Sequence, residues 1–193
     1  MKVIGFTGNY GDADDGSLQA YLMADSSILY SPRPLFMPDF APQFVATPSI
    51  VVRMGRLGKC IAPRFAHRYW DAVTASFSVQ ACGSPDAPVL GVLDRAFDGA
   101  AVVGEWVDTS TLTDVLHTPV TFLVNGEPVA TRQLADMHVG IEELLARVSV
   151  RCSIKMGDLL LTGDCAPAHA LTPGDRLSAT INGTTVLDVK VKL

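Results

Sequence analysis

Val73-Thr74-Ala75-Ser76-Phe77-Ser78-Val79-Gln80-Ala81 alternates apolar and polar side chains without a break. Successive side chains of an extended chain point to opposite faces. A period of two therefore predicts a strand with one apolar face and one face of small polar groups. Upstream, Phe65, Tyr69 and Val73 recur at helical spacing with Arg64 and Arg68 off that face, so residues 65–73 are expected to form a short helix. Pro38, Pro42 and Pro48 make 38–48 an extended, irregular stretch, because proline lacks a ladder donor and restricts the residue before it. Short apolar runs predict further strands at 2–6, 27–30, 50–54, 100–107 and 159–162. Asn125-Gly126 and Asn182-Gly183 sit between strand-like runs at 120–132 and 176–192. Each pair favours the positive backbone angles of a type I′ turn, so two β-hairpins are expected. The best helical pattern is 140–150, with Ile141, Leu144, Leu145 and Val148 on one face. Residues 8–16 and 83–91 read as Gly-rich loops. The sum is an α+β chain, mostly β, with one or two helices in a single domain over 1–193. Strands and helices do not alternate as a dinucleotide-binding sheet requires.

Composition excludes several function classes. The 193 residues are 48% hydrophobic and 18% charged, with a formal net charge of -5. The cations Arg53, Arg56, Lys59, Arg64 and Arg68 are spaced among apolar residues rather than clustered, so no nucleic-acid partner is expected. No apolar run approaches the roughly 20 residues of a membrane span, and the apolar start at 1–6 is too short for a signal peptide. A cytoplasmic protein with no membrane association and reduced thiols is expected. Cys60, Cys82, Cys152 and Cys165 form no Cys-x-x-Cys pair, so a zinc knuckle is not expected. Gly5 and Gly8 lack the third glycine of a phosphate loop. The acidic stretch Asp12-Ala13-Asp14-Asp15-Gly16 lacks the closing glutamate of a calcium loop, whose place falls on Met23. His67, His117, His138 and His169 show no ligand spacing, and there is no Gly-x-Ser-x-Gly elbow. Cys82 and Cys165, in Gly/Pro-rich surroundings, are candidates for a reactive thiol, with an inert thiol the simpler reading.

A collinear set of motifs is more specific. It runs Gly8-Asn9-Tyr10, Met37-Pro38-Asp39-Phe40, Gly58-Lys59, then Phe65-Ala66-His67-Arg68-Tyr69-Trp70-Asp71. Ala96-Phe97-Asp98-Gly99, Val124-Asn125-Gly126, the run Met156 to Gly163 and Pro173-Gly174-Asp175 complete it. In order and spacing this resembles the fumarylacetoacetate hydrolase family in its short bacterial form, over essentially the whole chain. The resemblance implies a mixed β-roll and a homodimer. It implies hydrolysis, isomerisation or decarboxylation of small 2-oxo or β-diketo acids by Mg²⁺ or Mn²⁺ held on three carboxylates. By position, those carboxylates fall on Thr47, Ser49 and Ser78. The family's motif arginine falls on Gly8, its general-base histidine on Ala13, that histidine's glutamate partner on Gly16, and its lysine on Arg95. The run after the third ligand reads Gln80-Ala81-Cys82-Gly83, and a substrate-contacting run reads Thr162-Gly163-Asp164-Cys165.

Hydroxyls do not offset the cost of stripping water from a divalent cation, and an arginine does not shuttle protons near neutral pH. No glutamate precedes Glu105, so no shift of alignment recovers a Glu-x-Glu pair. The expectation is a catalytically degenerate family member with no metal and no retained catalytic residue. Its vestigial cleft is expected at Thr47, Ser49, Ser78, Cys82, Asp164 and Cys165. It is expected to bind a small carboxylate, or to assemble with itself or an active relative. Alternatives are altered metal-free chemistry using Cys82, Cys165, Asp164 or Arg95, and metal-dependent activity with acids from Asp39, Asp98 or Asp164.

Overall fold

A computed structural model describes residues 1–11, 18–83 and 90–193. The described residues form fourteen strands and one α-helix, with short 3₁₀ turns between them. The strands are β1 (Val3–Thr7), β2 (Gln19–Met23), β3 (Ile28–Tyr30), β4 (Leu35–Phe36), β5 (Gln43–Met54), β6 (Trp70–Cys82), β7 (Ala101–Val103) and β8 (Val107–Asp108). There follow β9 (Val120–Val124), β10 (Glu127–Arg132), the helix α1 (Ile141–Arg151), β11 (Leu159–Leu161), β12 (His169–Ala170), β13 (Arg176–Ile181) and β14 (Thr184–Lys192). A nine-stranded mixed sheet runs β2-β1-β11-β5-β6-β7-β3, with β12 also paired to β5 and β8 to β6. A five-stranded sheet runs β10-β9-β13-β14-β4. The expected mostly β, α+β class is what the chain adopts.

The alternating stretch lies inside β6, which pairs antiparallel with β5 along its length. Its apolar face meets the second sheet: Phe77 packs edge-on against Phe122 of β9, with ring centroids 5.9 Å apart. Its polar face is buried as well. Thr74, Ser76 and Ser78 are at most 1% exposed. Small hydroxyls fit there because further chain covers that face; Thr74 Oγ1, for example, donates to the Glu105 carbonyl at 2.6 Å. Both Asn-Gly turns form as expected, with positive φ at Asn125, Gly126, Asn182 and Gly183. Ile141, Leu144, Leu145 and Val148 of α1 are buried together.

Three expectations need correction. Residues 65–73 are not a helix: a 3₁₀ turn spans Pro63–Arg68 and β6 begins at Trp70. Ala66 is the buried residue of that turn, while Phe65 lies outside, covered by the guanidiniums of Arg64 and Arg68. Residues 38–48 are not irregular throughout, because β5 begins at Gln43 and carries Pro48 in its middle. The Pro48 carbonyl accepts from the Cys165 N–H, so the position of its missing N–H faces that same side. There the ladder is open, since β11 pairs only as far as Val51 and β12 only as far as Ala46. A proline in that gap removes no ladder bond. The strand expected at 100–107 breaks after Val103. Gly104 donates to the Ala75 carbonyl and Glu105 to the Val186 carbonyl, so the chain turns from β7 to meet β14. A Cβ on Gly104 would lie 2.7 Å from that Val186 carbonyl, and only glycine passes there.

Candidate functional site

The open ladder beside Pro48 positions the site. Between β11 and β12 the chain bends away from β5, held by the Thr162 N–H on the Ile50 carbonyl (2.9 Å) and the Cys165 N–H on the Pro48 carbonyl (2.8 Å). The bend, from Asp164 to Ala168, forms one wall of a cleft of about 470 Å³. Thr47 and Gln80, Gly8 and Tyr10, and Arg95 and Arg132 line other parts of it. Of the residues singled out from sequence, Gly8, Thr47, Arg95, Asp164 and Cys165 line this one cavity. Ala13 and Gly16, with the acidic stretch 12–16, lie outside the described residues.

Thr47, Ser49 and Ser78 share a single patch. Thr47 pairs directly with Ser78 across β5 and β6, and Ser49 lies two residues along the same face. All three are buried, at 8%, 2% and 1% exposure. Ser49 Oγ donates to the Ile50 carbonyl at 3.3 Å and accepts from the Gly163 N–H at 3.4 Å. Ser78 Oγ accepts from the phenol of Tyr21 at 3.3 Å. Three neutral hydroxyls, two already engaged, do not fit a hard divalent cation, which exchanges water for charged oxygens. Among the described residues, no three His, Cys, Asp or Glu side chains gather as a metal site. Asp39 and Asp98 are exposed and line no part of the cleft, leaving Asp164 as its acid among the described residues.

Two groups escaped the sequence reading. Tyr21 enters from β2, a strand with no alternating pattern to announce it: Ala20 and Leu22 are exposed and apolar. Its ring lies against Gly5, where an added Cβ would sit 2.1 Å from a ring carbon. Gly5 therefore makes room for an aromatic ring rather than for a phosphate. Arg95 stacks on the same ring, its guanidinium carbon 4.6 Å from the centroid. Arg132, at the end of β10, adds a second guanidinium, whose Nε donates to the Cys165 carbonyl at 3.2 Å.

The electrostatics follow from burial and these two cations. Burial raises the Asp164 carboxyl to about 6, while Arg95 pulls it down. Burial pushes the Cys165 thiol up to about 12, which leaves it protonated and inert as a nucleophile at neutral pH. Tyr21 is also raised, first by burial. Cys82 ends β6, half-buried, and does not line the cleft. Cys165 lies in the bend already described, and Cys82 in a strand rather than a loop.

The motif residues that persist hold the frame. Asn9 Nδ2 donates to the carbonyls of Val139 and Thr162, while its Oδ1 accepts from the Val139 N–H. Asp158 accepts from the N–H groups of Lys2 and Lys155. Asp175 accepts from Asn125 Nδ2 at 2.9 Å and from the Thr172 N–H at 2.8 Å, tying the first hairpin turn to the chain before β13.

Comparison with known proteins agrees with this architecture. The profile of the fumarylacetoacetate hydrolase C-terminal family matches residues 11–192. The oxaloacetate tautomerase of Escherichia coli K12 is 32% identical over 90 residues, covering 46% of this chain and 41% of that protein, so the match spans less than half its length. The mitochondrial oxaloacetate tautomerase of Rattus norvegicus is 24% identical over 179 residues, 89% of this chain and 80% of that protein. The fumarylpyruvate hydrolase of Pseudomonas aeruginosa, solved in complex with Mn²⁺ and pyruvate, superposes with a TM-score of 0.86 at 19% identity. It covers 100% of this chain and 90% of that one, and so shares the fold.

Proposed function

Because the chain belongs to the fumarylacetoacetate hydrolase family, we propose that it is a catalytically degenerate member whose cleft binds a small carboxylate without a metal ion. The observation that carries this reading is the selective character of the replacements. Asn9, Asp158 and Asp175 still make the hydrogen bonds that hold the frame. The positions that the resemblance assigns to carboxylates carry the hydroxyls of Thr47, Ser49 and Ser78, and Tyr21 is bonded to the last of them. The same cleft presents Arg95 and Arg132 to a ligand. A planar guanidinium matches a carboxylate through paired N–H groups, which suits recognition of an acid without a cation between them. Pairing with a second copy or an active relative belongs to the same proposal, and light scattering after size exclusion measures it. The main test is calorimetric titration with pyruvate or oxalate in EDTA. Saturable binding that Arg132→Gln weakens is the expected result. Binding that requires Mg²⁺ or Mn²⁺ overturns the reading.

A second reading rests on Asp164. A carboxyl near 6 in an arginine-lined cleft has the acidity of a general acid–base group. Metal-free proton transfer on a small 2-oxo acid is then the activity to seek. The loss of enol absorbance of oxaloacetate in EDTA measures it. Asp164→Asn would abolish a genuine rate while leaving pyruvate bound.

A further inference from the structure

Beside the cleft lies a second and larger cavity of about 720 Å³. Ala20 and Leu22 of β2, Val92 and Arg95 of the 3₁₀ turn Gly91–Arg95, and Val148 and Arg151 of α1 line it. Its walls are mainly aliphatic. Leu22 and Val92 are 55% and 69% exposed, an apolar surface left open at a concave site. The charged groups that line it among the described residues are both guanidiniums. One nitrogen of the first is unpartnered: Arg95 Nη1 is buried and has no hydrogen-bond partner among the described residues. An orphaned charged donor costs more than a neutral one, so a ligand that pairs it is favoured on that ground alone.

We propose that this cavity binds a carboxylic acid carrying an apolar tail. The carboxylate pairs with Arg95, and the tail lies along Ala20, Leu22, Val92 and Val148 toward the end of α1. Arg95 lines both cavities, so the small-acid cleft and the apolar site share one cation and otherwise differ in their walls. The charge of the lining selects an acid over an alcohol or an amine, and its aliphatic character selects a tailed acid over a short one. A second copy of this chain covering the same face is the competing occupant. It would need no carboxylate.

The test is calorimetric titration of the full chain with octanoate, octanol and butyrate. Octanoate is expected to bind saturably at one per chain, and octanol and butyrate at least about tenfold more weakly, a difference of about 1.4 kcal/mol. Ala20→Trp fills the cavity from an exposed position. It is expected to weaken octanoate by at least about tenfold while leaving pyruvate binding in the cleft unchanged. Arg95→Gln is expected to weaken both acids. Val92→Asp, also on the exposed rim, provides a second block that repels the acid. The proposal is overturned if octanoate does not saturate, if octanol equals it, or if both Ala20→Trp and Val92→Asp still bind it. It is also overturned if Ala20→Trp converts a dimer to a monomer, which would make the face an interface between copies. Loss of pyruvate binding in the unmodified chain would count instead against the cleft reading.

Discussion

The phenol of Tyr21 donates a hydrogen bond to Ser78 Oγ across 3.3 Å, joining the edge strand β2 to the middle of β6. That bond reaches the position where the family resemblance places a third carboxylate, and it uses the hydroxyl that stands there. Tyr21→Phe keeps the ring against Gly5 and under Arg95 but leaves Ser78 without its donor. A loss of about 1 kcal/mol in urea unfolding is expected, with an unchanged slope. Tyr21→Ala also removes the ring on which Arg95 rests, and a larger loss is expected. Equal stability of all three proteins would show that the bond does not form.

Asp164 makes anion binding in the cleft depend on pH. Its carboxyl is raised from 3.8 to about 6 by burial, so it is largely neutral at pH 5 and charged at pH 7. The charged form repels a bound carboxylate and partly offsets Arg95 and Arg132; Tyr10, Tyr21 and Cys165, titratable groups near it among the described residues, stay neutral in this range. Affinity for pyruvate is expected to fall as pH rises through 6, and Asp164→Asn to flatten the profile. Folding stability takes the same sign. The folded chain holds this proton more tightly than the unfolded chain. The contribution is therefore fully present below about 4 and lost as pH climbs through about 6. A flat unfolding profile from pH 4 to 7 for this group, measured against Asp164→Asn, would contradict the assignment.

Arg95 is the charge that holds Asp164 down. Arg95→Met removes it, so the Asp164 carboxyl is expected to titrate higher still in a carbon-detected NMR titration. Arg95→Lys keeps the charge but loses the flat stack on Tyr21, so a smaller shift is expected. Identical titrations in all three proteins would separate Arg95 from Asp164.

Pro48 tests the account of the open ladder. Pro48→Ala adds an N–H where no strand pairs, and a change in stability within about 1 kcal/mol is expected. Ser49→Pro, one residue on, removes an N–H that faces β6, and a loss of about 3 kcal/mol or more is expected. Thermal unfolding of the two variants distinguishes them. Comparable losses would mean that the ladder between β11 and β12 is not open there.

Local chemistry made part of this structure legible. The alternation from Val73 to Ala81 lies wholly within β6, and the Asn-Gly pairs adopt the turns their backbone freedom favours. The face of α1 was readable because four aliphatic side chains repeat at its period. Long-range partners decided the rest. Pro48 reads as a strand breaker until the missing neighbour between Leu161 and His169 is known. Phe65 and Tyr69 mimic a helical face, yet Phe65 packs under two arginines at the surface. Thr47, Ser49 and Ser78 could be placed by motif spacing, and strand pairing brings them together. Tyr21 and Arg132 carry no spacing signature, and only the assembled sheets bring them to the same place as Arg95 and Asp164.

The most direct measurement is a titration of the full chain with Mn²⁺, followed by the electron paramagnetic resonance signal of the free ion. The signal is expected to rise linearly from the first addition, because among the described residues no carboxylate pair faces the patch of Thr47, Ser49 and Ser78. A delayed rise that breaks at one ion per chain would contradict the account.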